Sequence, residues 1–105
     1  MPILKKEPTL KDFQEYVKEL ERERGFTEVS LIQNCLLLGE EVGELFKAVR
    51  KAEKMRTDQK SNLTSVAEEL ADIIIYLAAI ANRYGIDLET AFREKEEINK
   101  QREWK

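Results

Sequence analysis

Apolar residues recur along this chain at the three- and four-residue steps of an amphipathic helix, in four separate stretches. Phe13, Val17 and Leu20 mark a first helix over residues 9–24. Thr9 stands as its N-cap, Asp12 follows three residues on, and Gly25 ends it. Ser30 and Gln33 have capping-box spacing and open a second helix that continues to about residue 54. Its line Leu31, Cys35, Leu38, Val42, Leu45 and Val49 predicts one continuous buried stripe. Gly39 and Gly43, four apart, are places where a neighbouring helix could approach closely.

Residues 54–62 read as a polar connection, and a third helix follows over 63–84. Leu63, Val66, Leu70, Ile73, Leu77, Ile80 and Tyr84 form its main stripe, with Ala67, Ala71, Ile74, Ala78 and Ala81 beside it. A helix apolar over so much of its circumference lies centrally in a bundle or at a subunit interface. Gly85 is a C-cap, and Asp87 caps a fourth helix that ends near the C-terminus. The expectation is all-α, a four-helix bundle. With 105 residues there is room for one domain, 1–105, with its core over about 9–103.

Composition narrows the chemistry. Charged residues make up 37% of the chain against four Gly and two Pro, which favours long helices over a many-stranded sheet. The absence of histidine removes Ser-His-Asp and Cys-His mechanisms and His-based zinc sites. The single cysteine, Cys35, lies among Leu and Ile and reads as a core residue. One thiol allows no internal disulfide, and the first residues contain no apolar signal segment, so the expected location is the cytoplasm. The longest apolar run, 70–81, is too short to span a bilayer and contains an Asp. A net charge of −3 gives no electrostatic case for a nucleic-acid partner.

Four acids stand in the wrong place for a solvated surface. Glu41 and Glu44 lie beside the core line of the second helix, on the line Asn34, Leu37, Glu41, Glu44, Ala48; Glu40 points further toward solvent. Glu69 and Asp72 share the line Ser65, Glu69, Asp72, Tyr76, Ala79, and Asp72 is the one charge within 70–81. An ionised carboxylate in apolar surroundings is costly unless paired or bound to metal. Spacing of i, i+3 puts each pair on one helix face, about 5–6 Å apart between Cβ atoms. Two such pairs on antiparallel neighbours can meet at one point. Oxygen donors without His or Cys suit a hard cation, Mg²⁺ or Mn²⁺. The competing reading is plain surface chemistry, since 21 of the 105 residues are acidic and Lys and Arg are plentiful.

On the fourth helix Leu88, Phe92, Lys95, Asn99 and Arg102 form a stripe that begins apolar and ends cationic. Cations aimed toward a core suggest an anion there, although cations also complement a helix C-terminus. Lys47, Arg50, Lys51, Lys54, Arg56 and Lys60 read mainly as a solvated face. Phe26 and Trp104 could stack on a base or simply pack locally.

The segments Gly39-Glu-Glu-Val-Gly-Glu-Leu45 and Glu68-Glu-Leu-Ala-Asp-Ile-Ile-Ile-Tyr-Leu77 resemble the MazG-like nucleoside triphosphate pyrophosphohydrolases, the all-α NTP pyrophosphatase superfamily. The family pattern is EExxE, a spacer, then ExxD; here it falls on Glu40, Glu41 and Glu44, then Glu69 and Asp72. Lys95, Asn99 and Arg102 look like its K-xxx-N-xx-R ending, and the resemblance spans roughly residues 31–102. Trp104 stands where many members have a Tyr.

The resemblance implies Mg²⁺-dependent hydrolysis of an NTP or dNTP between the α- and β-phosphates, to the monophosphate and pyrophosphate, in nucleotide-pool house-cleaning. It implies Glu41, Glu44, Glu69 and Asp72 as metal ligands, with Glu41 or Glu40 as proton acceptor. Lys95, Asn99 and Arg102 would contact phosphate. Base selection falls to the stretch 26–34, with Phe26, Asn34 and Trp104 as candidate base contacts, although no nucleotide-specific pattern is legible there. A homodimer or homotetramer with sites near subunit interfaces is implied as well. Two alternatives stand beside this reading: phosphoribosyl-ATP pyrophosphohydrolase, and a non-catalytic helical interaction protein.

Overall fold

The computed structural model describes residues 1–54 and 65–102, and every regular element among them is helical. Four α-helices follow in order: α1 (Leu10–Glu23), α2 (Leu31–Ala52), α3 (Val66–Arg83) and α4 (Leu88–Lys100). A short 3₁₀ turn, Phe26–Glu28, joins α1 to α2. The expected starts at Thr9, Ser30 and Asp87 are all N-caps. Thr9 with Asp12 and Ser30 with Gln33 each close a full capping box, so two backbone donors are satisfied at each start. The third helix begins on Ser65, whose hydroxyl accepts from the Glu68 N–H; Leu63 lies outside the described residues. Gly25 and Gly85 take the left-handed backbone (φ +76° and +65°) that lets the chain turn off α1 and α3.

The central unit is the α2–α3 pair. The turn before α2 meets Arg83 at the end of α3, while Glu41 meets Glu69 and Asp72 near its start, so the two helices run antiparallel. α1 packs across α3, where Val17, Leu20, Ala78 and Ala79 form the buried core with Tyr16 and Ile75 against it.

A polar knot sets the corner between α3 and α4. The buried Gln14 amide donates to Ile86 O (2.8 Å) and Asn82 Oδ1 (3.2 Å), and its oxygen accepts from the Leu88 N–H (2.9 Å). Asn82 in turn donates to Gln14 O at 2.9 Å. The buried Gln14 amide and the half-buried Asn82 amide are therefore satisfied, and the first residue of α4 is tied to α1. α4 packs mainly on α1, and Phe92 and Ile98 on it are exposed.

The expected α2 stripe is not the buried one. Cys35 is exposed and Val49 is 41% exposed, whereas Asn34 and Ala48 are buried. α2 turns its Asn34–Glu41–Ala48 line toward α3, which brings the acids of the two helices face to face. Its more apolar neighbouring line is left outward. Ile32, Leu36 and Phe46 on α2, and Leu70, Ile74 and Leu77 on α3, are all exposed. Gly39 and Gly43 lie on that outward α2 line, and a Cβ at either would meet nothing within 4 Å. The close helix approach expected at these glycines does not occur among the described residues.

Candidate functional site

Glu41 from α2 and Glu69 and Asp72 from α3 converge, with one carboxylate oxygen of each within 4.8 Å of the others. The register follows from the caps. Ser65 starts α3 so that Glu69 falls one turn in and Asp72 three residues later on the same face. Glu69 is buried, and Glu41 and Asp72 are half-buried.

Bringing these charges together has an electrostatic cost. The Glu41 carboxyl is pushed up to about 7, first by its hydrogen bond with Glu69, then by burial, then by the charges of Glu69, Asp72 and Glu44. Glu44 acts on Glu41 through its charge but sits outside the three-acid group, 3.6 Å from Lys47 Nζ. Glu40 is exposed. Tyr76, one turn beyond Asp72, has its phenol pushed up by burial and then by Glu41, Asp72 and Glu40. Three oxygen donors converging on one point fit a hard divalent cation, which would relieve the repulsion.

Glu41, Asp72 and Tyr76 form part of the wall of a cavity of about 280 Å³ between α1, the 3₁₀ turn, α2 and α3. Phe26 and Asn34, the candidate base contacts, line the same cavity; Trp104 lies outside the described residues. The wall also includes Glu21 and Arg24 from α1, which sequence reasoning did not single out. The available signal was position, for Glu21 stands four residues after Val17, on the apolar side of α1.

The candidate phosphate contacts stand elsewhere in the chain. Lys95 and Arg102 are exposed, Asn99 is half-buried with its amide 3.4 Å from Glu96 Oε1, and none of the three lines the cavity.

Residues 28–103 match the MazG nucleotide pyrophosphohydrolase domain. Uncharacterized protein YvdC of Bacillus subtilis (strain 168) is 34% identical over 98 residues, covering 84% of this chain and 90% of that protein. dCTP pyrophosphatase 1 of Rattus norvegicus is 37% identical over 101 residues, and that of Homo sapiens 34% over 105. Each of these two matches covers 91% of this chain and 59% of the dCTP pyrophosphatase. The crystal structure of iMazG from Vibrio DAT 722 superposes with a TM-score of 0.63 at 33% identity, over 89% of this chain and 99% of that one. No helix among the described residues is long and apolar enough to cross a membrane.

Proposed function

Since the chain belongs to the MazG nucleotide pyrophosphohydrolase family, we propose that it hydrolyses a nucleoside or deoxynucleoside triphosphate between the α- and β-phosphates, with Mg²⁺ held by its acidic cluster. The observation that carries this reading is the meeting of Glu41, Glu69 and Asp72 on the wall of a cavity that also holds Phe26 and Asn34. A triphosphate brings several negative charges, and an acidic pocket accepts it only through bridging cations. When bound there, Mg²⁺ would neutralise phosphate oxygens and acidify an attacking water.

The chain's own groups have separable roles. Glu41, Glu69 and Asp72 hold the cation, and Glu44 joins them by leaving its exposed pair with Lys47, a pair worth little in water. Glu41, or Glu40 beside it, takes the proton of the water. Phe26 covers the base. Lys95, Asn99 and Arg102 bind the phosphates of the leaving pyrophosphate.

Because α4 stays clear of the cavity within one chain, these last contacts are made in a homo-oligomer, where α4 of one copy completes the site of another. The exposed line of Ile32, Leu36 and Phe46 with Leu70, Ile74 and Leu77 supports this, as an apolar face that nothing within the described chain covers. The open surface at Gly39 and Gly43 suits the close approach of a second helix.

The test is pyrophosphate release from a panel of NTPs and dNTPs with and without Mg²⁺. Release that depends on the metal and disappears in Asp72→Asn supports the reading. Turnover that persists in both Glu41→Gln and Asp72→Asn removes it.

A further inference from the structure

Arg83, the last residue of α3, stands behind the cavity rather than on its wall. Its Nη2 donates to Phe26 O and to Thr27 O at 3.4 Å each, and lies 3.8 Å from Glu21 Oε2. One guanidinium therefore ties α3 to the buried Glu21 of α1 and to the turn Phe26–Glu28. Glu21 is a shared partition. It belongs to the wall of the main cavity and also to that of a cleft of about 190 Å³, and Arg83 lines the cleft but not the cavity.

The turn has little else to hold it. None of its three residues is buried, Phe26 is 47% exposed, and the Gly25 before it supplies no side-chain cap. Its internal bond is the one from Val29 N–H to Phe26 O, 3.1 Å. Among the described residues, the hydrogen bonds from the turn to the body of the fold both come from Arg83. Each is long but charge-assisted, and the Glu21 carboxylate keeps the guanidinium facing the two carbonyls. Burial pushes the Glu21 carboxyl up, and Arg83 pulls it back down. A cation at a helix C-terminus complements the macrodipole, which accounts for the charge of Arg83 but not for its reach to α1 and the turn.

We propose that Arg83 is a positioning residue: anchored on Glu21, it tethers the 26–28 turn and so keeps Phe26 on the cavity wall, where it can cover a nucleotide base. This rests on the nucleotide reading above and adds to it the residue that sets the aromatic cover in place. Arg83 acts through the turn and touches no substrate. An aromatic ring meets the face of a base, and every base has one, so loss of the tether weakens binding of all nucleotides alike. The chemistry stands apart from this device, since Glu41 lies roughly 15 Å along α2 from the helix start that follows the turn. Only Arg presents a planar fork of donors that serves a carboxylate and two carbonyls together, and a Lys in its place keeps the charge without the fork.

The experiment assays pyrophosphate release from the four common NTPs and four dNTPs with Mg²⁺, in the wild type, Arg83→Gln and Arg83→Lys. In Arg83→Gln, KM rises about tenfold for each nucleotide that the wild type turns over, while kcat stays within about twofold. Arg83→Lys, which keeps a cation beside Glu21, recovers part of the loss. An unchanged KM, or a loss carried by kcat, overturns the proposal. Hydrogen exchange of the protein without metal or nucleotide gives a readout independent of turnover. Amides 25–30 exchange faster in Arg83→Gln, while those of α2 and α3 keep their protection; equal exchange at 25–30 overturns the tether. A wild type that releases no pyrophosphate from any of the eight, with faster exchange at 25–30 in Arg83→Gln, sinks the hydrolytic reading and keeps the tether. Glu21→Gln, which removes the anchor of the guanidinium, serves if Arg83→Gln does not fold; unchanged exchange at 25–30 in it counts against the proposal.

Discussion

Glu41 on α2 and Glu69 on α3 face each other in the acidic cluster, and the Glu69 carboxylate is the first cause that pushes the Glu41 carboxyl up to about 7. They meet where the middle of α2 faces the first turns of α3, and Asp72 adds a third carboxylate. The protein alone therefore stores electrostatic tension at the point where its proposed chemistry takes place.

The first prediction concerns pH. The folded Glu41 carboxyl is pushed up to about 7 from an ordinary value of 4.5, so between these values the folded chain binds more protons than the unfolded one. Stability of the metal-free protein accordingly falls as pH rises through that window. Urea midpoints measured at pH 5 and pH 8 without divalent ions should be lower at pH 8, and Mg²⁺ should restore the loss. A midpoint that rises with pH across this range would show the cluster to be open to solvent.

Removing one acid should separate stability from activity. Glu69→Gln keeps the shape and most of the hydrogen bonding while deleting a buried charge. The metal-free variant should melt higher than the wild type at pH 8, and its response to Mg²⁺ should shrink. Its Mg²⁺-dependent turnover should drop by roughly 10²–10³-fold, the scale seen when a charge-stabilising group is lost. Parallel melting curves and pyrophosphate assays on one preparation check both halves.

Gln14 has a purely architectural task. Its amide serves Asn82, Ile86 and Leu88 at once from a buried position. Gln14→Leu leaves those partners without hydrogen bonds in a nearly dry corner and should cost roughly 2–4 kcal/mol, the sum of two or three such losses. Chemical unfolding measures this, and a change below about 1 kcal/mol would show that water replaces the amide.

Assembly has its own test. Ile74 and Leu77 are exposed on α3 beside Leu70, and a charge there harms little within a single chain. Ile74→Lys should shift the mass in solution toward the monomer and remove activity while leaving each chain helical by circular dichroism. Light scattering reads the mass directly. A wild type that is already monomeric and active refutes the shared site.

Much of the fold was legible because local signals carry it. The caps at Thr9, Ser30 and Asp87 and the glycines at 25 and 85 act within a few residues, so sequence alone locates them. The acids were legible for a different reason, since Asp72 stands as a lone charge in an apolar stretch. What stayed hidden depends on which face each helix presents to which neighbour. Periodicity pointed to the Leu31–Cys35–Val49 line as the buried face of α2, whereas packing selected the line bearing Asn34, Glu41 and Ala48. An apolar stripe says that a surface will be covered, and not whether the same chain covers it. The Glu21–Arg83 pair spans 62 positions and joins α1 to the end of α3, a tertiary contact with no local pattern to announce it.

The two glycines midway along α2 have a consequence for anyone seeking a sturdier protein. Each weakens its helix by about 0.5–1 kcal/mol relative to alanine, and nothing among the described residues lies within 4 Å of a methyl group at either position. Gly39→Ala and Gly43→Ala should therefore toughen the isolated subunit, yet the added methyl groups would act as spacers against any second helix seated there. Hardening the part in this way would loosen the whole.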